Sequence, residues 1–271
     1  MASNVGTSEI SSAAIAQAVS PAAREALIAI LGEGEKAVTA GISGAVTAAT
    51  LQSLKDKTPE VLILGGTGST STTNTVNLSA LGADIAEVKA LIFEGNQPVA
   101  LDGLKGFSGI IALGDGSNKV NAAKTSGDVA VTSGKGNDSV ATGSGSDSIT
   151  LGGGKDTVST GSGGDEVSIQ GAVTGGVVKT GTGDDKVKIS ASGGASVSLA
   201  VDGGKGKTDM LDLSAVDIKA VTVKGGTATV TLADGTKVAV KGMEAFVYNV
   251  TIDGAEVTKV VGLSNLADDF S

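Results

Sequence analysis

Four consecutive nonapeptides decide the fold: SGKGNDSVA from Ser133, TGSGSDSIT from Thr142, LGGGKDTVS from Leu151 and TGSGGDEVS from Thr160. Two further copies stand at an offset of twenty, LGDGSNKVN from Leu113 and TGTGDDKVK from Thr180. Twenty is two nonapeptides plus two residues, so one coil on each side of the regular block is expected to carry a bulge or a longer turn. The sixth place holds Asp138, Asp147, Asp156, Asp165 and Asp185, with Asn118 in the first copy. The eighth place holds Val140, Ile149, Val158, Val167 and Val187, with Val120 in the first. Self-similarity at a fixed short period is the mark of a repeat architecture, in which each unit buries its apolar face only against its neighbours.

The second and fourth places are Gly134 and Gly136, Gly143 and Gly145, Gly152 and Gly154, Gly161 and Gly163, Gly181 and Gly183. Glycine permits positive φ, which lets a loop turn its carbonyls toward a common centre. Carbonyl and carboxylate oxygens together suit a hard cation. The eighth-place residue starts a short strand with its side chain inward, and two nonapeptides complete one turn of a parallel solenoid. Stacking then sets Asp138 above Asp156 on one edge and Asp147 above Asp165 on the other, with Asn118 joining the first row and Asp185 the second. At a strand spacing of about 4.8 Å, two carboxylates repel by roughly 1 kcal/mol in water and roughly 3 to 4 at an effective dielectric near 20. A cation between successive loops turns this repulsion into the source of stability. The competing interpretation is a glycine-rich solenoid whose aspartates merely hold turns as Asx motifs.

Over Leu113 to Lys188 the chain resembles the RTX calcium-binding repeat, GGxGxDxUx. The resemblance implies a mainly β protein, a right-handed parallel β-roll. It also implies calcium (Ca2+) held by the sixth-place carboxylates and the glycine-rich loops, at the residues just named. Magnesium is a poor substitute, because it demands tight octahedral geometry and gives up water reluctantly. VDGGKGKTDMLDLSA from Val201 looks like the degenerate closing repeat common after such arrays, with Asp202 or Asp209 as an extra ligand. GKT at Gly206 to Thr208 lacks the first glycine of a phosphate loop, since position 201 is Val, and a strand rather than a helix follows it.

Outside the array the composition changes. Residues 1–60 hold five of the 42 glycines and read as an α-helical cap or assembly segment. Ser20 before Pro21 is an N-cap followed by proline at the first helical position, and Gly32 is placed to end that helix. Val38, Ile42 and Val46 recur every four residues and predict a second helix that fades near Lys57. Residues 61–271 are expected to form the solenoid, starting with the strand-like runs VLILGG, TVNLSALG, ALIFEGN, VALDGLKG and GIIALGDG. Degenerate coils or hairpins are expected over 201–271, with turns at Asp234-Gly235 and Asp253-Gly254. KGMEAFVYN from Lys241 resembles a stretch that often follows RTX arrays. The acidic-then-aromatic close, GLSNLADDFS, is similar to C-terminal signals for type I secretion. That route fits an N-terminus without the basic and apolar regions of a Sec signal.

Composition narrows the function. With 20 Lys+Arg against 29 Asp+Glu, the formal charge is −9, which argues against a nucleic-acid binder. The longest strongly apolar run, Ala26 to Leu31, is far short of the roughly 20 residues of a membrane helix. Cys, His and Trp are absent, which removes Cys/His zinc sites, disulfides, HExxH proteases and Ser-His lipases. Ice binding would want a uniform outward row, but Lys135/Asn137, Ser144/Ser146, Gly153/Lys155, Ser162/Gly164 and Thr182/Asp184 are mixed. The expectation is a non-enzymatic, secreted structural protein that folds on extracellular calcium. It would then associate with itself as a homo-oligomer, filament or lattice in a bacterial surface layer or biofilm matrix. The alternative is a monomeric calcium-scaffolded adhesin or binder of cell-surface or matrix polysaccharide.

Overall fold

A computed structural model describes residues 4–11, 36–43, 59–65, 73–191, 193–194, 197–252 and 255–270. The chain forms two compact units, Met1–Gly145 and Ser146–Ser271. Both are built from stacked parallel coils, so the protein is mainly β and a parallel β-solenoid.

The first unit holds β1 (Asn4–Ser11), β2 (Lys36–Ser43), β3 (Val61–Gly65), β4 (Asn74–Asn77), β5 (Ala90–Glu94), β6 (Val99–Asp102), β7 (Gly109–Ala112), β8 (Lys119–Asn121), β9 (Val129–Lys135) and β10 (Ser139–Ala141). One sheet runs β2, β3, β5, β7, β9 and the other β4, β6, β8, β10, every neighbouring pair parallel. The registers stack like on like. Leu62, Leu91, Ile111 and Val131 form one buried column, and Val76, Leu101, Val120 and Val140 form another. Short β-branched and leucine side chains suffice because each coil needs to fill only its own thin layer. The run TVNLSALG is extended only through Asn77, whose Oδ1 accepts the Ser79 N–H at 2.9 Å and starts a 3₁₀ segment, Leu78–Glu87.

In the second unit β11 (Ser148–Ser162) is long enough to serve both sheets. Its first residues pair with β12 (Glu166–Ile169), and the rest with β13 (Val173–Thr182). Then follow β14 (Lys186–Ile189), β15 (Ser198–Asp202), β16 (Met210–Asp212), β17 (Ile218–Lys224), β18 (Thr227–Leu232), β19 (Lys237–Lys241), β20 (Ala245–Ile252), β21 (Ala255–Gly262) and a single turn of helix, α1 (Leu263–Leu266). Ile149, Val167, Val187, Leu211 and Phe246 make one buried column, and Val158, Val178, Val201 and Val240 the other. Ile149 lies opposite Val167, eighteen residues on, while Val167 lies opposite Val187, twenty on. The first step is two nonapeptides per turn; the second is the expected insertion, seen as a register shift between Gly154 and Lys155 against β13. The Asp234-Gly235 turn joins antiparallel β18 and β19, and β20 pairs antiparallel with β21. The Asp253-Gly254 turn lies outside the described residues.

The N-terminal helical segment is corrected where it is described. Val38 and Ile42 lie on β2, which pairs antiparallel with β1 and parallel with β3. A spacing of four is a multiple of the strand period of two, so it marks a strand as readily as a helix, and β-branched residues favour the strand. The helix expected from Ser20 to Gly32, and Val46, lie outside the described residues. Among those described, α1 is the one α-helix.

The tight approach of successive coils is clearest at Gly183, with φ of 131°. A Cβ there would lie 1.8 Å from the Gly163 carbonyl oxygen of the coil below. Gly183→Ala is expected to cost about 3 kcal/mol or more through strain and overpacking. Gly164→Ala, whose Cβ meets only the Asp184 carbonyl oxygen at 3.3 Å, is expected to cost under about 1 kcal/mol. Urea unfolding midpoints of the two variants compare them.

Candidate metal centre

Asn118, Asp138, Asp147, Asp165 and Asp185 each precede a strand by one position, whereas Asp156 lies within β11. Along the row a backbone N–H points to the next coil and a carboxylate accepts from the coil before. In the second unit Asp147 N–H donates to Asp165 Oδ1 at 2.8 Å, Asp165 N–H to Asp185 Oδ1 at 2.9 Å, and Asp185 N–H to Asp209 Oδ1 at 2.9 Å. The ladder ends on Glu244, whose Oε2 accepts the Asp209 N–H at 2.9 Å. Return bonds tie the same coils, Lys186 N–H to Asp165 O and Met210 N–H to Asp185 O, both at 2.8 Å. The first unit repeats the pattern: Val99 N–H donates to Asn118 Oδ1 at 3.0 Å, and Asn118 N–H to Asp138 Oδ1 at 2.8 Å. Asp156 is likewise buried.

One oxygen of Asp138, Asp165, Asp185 and Asp209 is thereby placed, which leaves the other. Asp185 and Asp209 are 2% and 0% exposed, and their Oδ2 atoms are buried with no hydrogen-bond partner. A buried acceptor without a donor costs about 1 to 3 kcal/mol, and more for a charged one. Burial raises the Asp209 carboxyl to about 6, with the charges of Asp185, Glu244 and Asp184 adding to the effect. Burial also raises Asp165, helped by Asp147 and Asp185, and raises Asp138, helped by Asp115. Removal from water disfavours the charged form of a carboxylate and produces shifts in this direction.

Asn118 reveals what the second atom faces. Because its Oδ1 takes the Val99 N–H, its Nδ2 is the atom turned to the loop, where it donates to Gly114 O at 3.0 Å and Gly116 O at 2.7 Å. These carbonyls belong to residues four and two places before it. Asp138, Asp165 and Asp185 keep the same spacing to Gly134 and Gly136, Gly161 and Gly163, Gly181 and Gly183. A carboxylate oxygen set against the same carbonyls would call for a proton or a cation. Asn118, expected as a ligand, turns a nitrogen to its loop instead. Among the described residues no three acidic side chains converge on one point. A cation held here would therefore draw most of its ligands from carbonyls, with carboxylates supplied by one or two coils. That donor set is all hard oxygen and fits calcium chemistry.

The glycines divide by cause. At the fourth place Gly136, Gly145, Gly154, Gly163 and Gly183 all have positive φ, as expected. At the second place only Gly161 and Gly181 do. Gly134 and Gly143 are required for room: a Cβ would lie 2.2 Å from Asp115 Oδ1 and from Thr125 O respectively. Gly152 occupies the tightest approach, since a Cβ on Gly171 would fall 1.3 Å from its carbonyl oxygen.

Of the two open candidates after the array, Asp209 joins the ladder, whereas Asp202 pairs with Lys241 Nζ at 2.8 Å. Glu244 was missed, although it stands two residues before the inward Phe246, the place an aspartate holds before Val187. The GKT amides cradle a carboxylate of the chain itself. Asp184 Oδ1 accepts the Lys207 and Thr208 N–H groups at 2.8 and 3.2 Å, and the Lys207 N–H leads the effects that lower its pKa.

No protein-family model, curated protein or solved structure matches the chain. Among the described residues no helix is long and apolar enough to cross a membrane.

An acid whose pKa is raised by folding binds its proton more tightly folded than unfolded, so its protonation stabilises the fold. For Asp209 that stabilisation is complete below 3.8 and is lost as pH rises through about 6. In chelator, the thermal midpoint is expected to be higher at pH 5 than at pH 7. A midpoint that climbs from pH 5 to pH 7 contradicts the assignment.

Proposed function

We propose that the protein is a secreted calcium-binding structural protein that folds on extracellular calcium and then assembles with itself into a bacterial surface layer or biofilm matrix. The observation that carries this reading is the pair of buried, partnerless Oδ2 atoms on Asp185 and Asp209. Calcium supplies positive charge and coordination positions for such oxygens. The residues that hold it are Asp138, Asp147, Asp156, Asp165, Asp185 and Asp209, with the glycine-loop carbonyls. Because the unfolded chain offers no preformed site, binding and folding are one equilibrium. Extracellular calcium modules work at about 10⁻⁴ to 10⁻³ M, a range in which the outer medium acts as the switch.

Support for self-association comes from the second unit's last hairpin. Among the described residues β21 pairs only with β20, and it carries the exposed Val257 and Val260, with Ile252 exposed on β20. An uncovered strand edge with apolar side chains is a template for another chain. A second reading, a monomeric binder of polysaccharide on a calcium scaffold, is favoured by a cleft of about 820 Å³ in the first unit. Asn77, Asp102, Lys105, Asn121 and Lys124 are among its lining residues.

Circular dichroism and light scattering on chelator-treated protein test the proposal. Calcium at about 10⁻⁴ to 10⁻³ M is expected to raise the β signal and then the particle size, and magnesium at the same concentration to do neither. Folding without growth in size transfers the weight to the monomeric binder. A β signal indifferent to calcium overturns the metal assignment.

A further inference from the structure

Asn118 uses both ends of its side-chain amide, one toward the coil before it and one toward its own loop. Oδ1 accepts from Val99, while Nδ2 donates to the two carbonyls that precede it in its own turn, Gly114 O and Gly116 O. The side chain is 2% exposed, so these bonds are made away from water. Asp185, four and two places after Gly181 and Gly183, makes the equivalent Oδ1 bond and has no partner for Oδ2. The two residues differ by one atom and one charge.

We infer that the Asn118 amide is a built-in substitute for the bound cation, and that the Asn118 coil folds without metal. The inference rests on the calcium reading of the aspartate coils and adds to it a starting point. An amide N–H₂ offers two donors in one plane, enough to hold both loop carbonyls, and it brings no charge to be neutralised. The same residue also donates its backbone N–H to Asp138 Oδ1, the first carboxylate of the row. Below it, the columns of the first unit are richer in large side chains than those of the array, with Leu62, Leu91 and Ile111 in one and Leu101 in the other. Larger buried area per coil gives these layers more stability of their own. The Asn118 coil is thus a cation-independent ledge, and the Asp138 coil is the next layer on it.

Calcium stoichiometry by isothermal titration calorimetry, with thermal midpoints in chelator, tests the inference on the full chain. Asn118→Asp is expected to bind one more calcium per chain than the wild type and to melt lower in chelator by roughly 3 °C or more. Asp185→Asn is expected to bind one fewer and to melt higher in chelator, because the new amide reaches Gly181 O and Gly183 O. If the wild type binds no calcium, the calcium reading itself fails and this inference with it. If the wild type binds calcium, an Asn118→Asp protein with unchanged stoichiometry and midpoint overturns the inference alone. Should Asn118→Asp fail to fold in any condition, Asp185→Asn decides: a chelator midpoint at or below that of the wild type overturns it.

Discussion

A coil stacked every strand spacing brings each residue over its own counterpart, and the ladder of sixth-place carboxylates is where that constraint binds hardest. Asp138, Asp165, Asp185 and Asp209 each use one oxygen to take the N–H of the coil before, as Asp165 does from Asp147 and Asp185 from Asp165. That bond fixes the side chain, and at Asp185 and Asp209 it leaves the second oxygen buried. The hydrogen bond that builds the stack therefore also creates the electrostatic problem within it. A neutral side chain solves it at Asn118; at Asp185 and Asp209 the structure contains no solution of its own.

The same stacking dictates the glycines and the thin core. Gly183 lies against the carbonyl of Gly163, and Gly134 against the carboxylate of Asp115, so side chains are excluded on the loop edges. Inside, valine over valine fills a narrow space without large aromatic residues. In the second unit the inward residue of this column grows toward the last coils, from Val187 to Leu211 to Phe246. There Tyr248 donates to Asp269, packs its ring 5.2 Å from that of Phe270, and Lys259 pairs with Asp269 at 2.8 Å. These contacts close the end of the second unit with side chains, where another coil would otherwise be needed.

How far the sequence could be interpreted followed from how strictly a position repeats. The nine-residue period, the inward Val140, Ile149 and Val167, and the extra residues on either side of the regular block were all legible, because each recurs in register. Val38 and Ile42 were not, since a lone spacing of four serves a strand face as well as a helix face. Gly134 and Gly143 looked like Gly161 and Gly181 in the sequence, yet crowding and not φ accounts for them; a one-dimensional pattern does not distinguish the two needs. Glu244 escaped because it lies after long insertions and carries one more methylene than the aspartates. Its signal was the residue two places on, Phe246, which continues the buried column.

The choice between asparagine and aspartate at one place in the repeat has more consequence than its single atom suggests. With an amide, the loop closes within the chain and its stability is independent of the medium. A carboxylate leaves its second oxygen without a donor at Asp185 and Asp209, and burial raises the Asp165 and Asp209 carboxyls. On the inference drawn above, a row of aspartates would leave every coil waiting on the same event, whereas one asparagine at the start of the row would set a folded layer beneath the first waiting coil. In a one-dimensional stack each coil draws its stability from its own contacts and from its nearest neighbours, so what one coil supplies for itself is felt by the next.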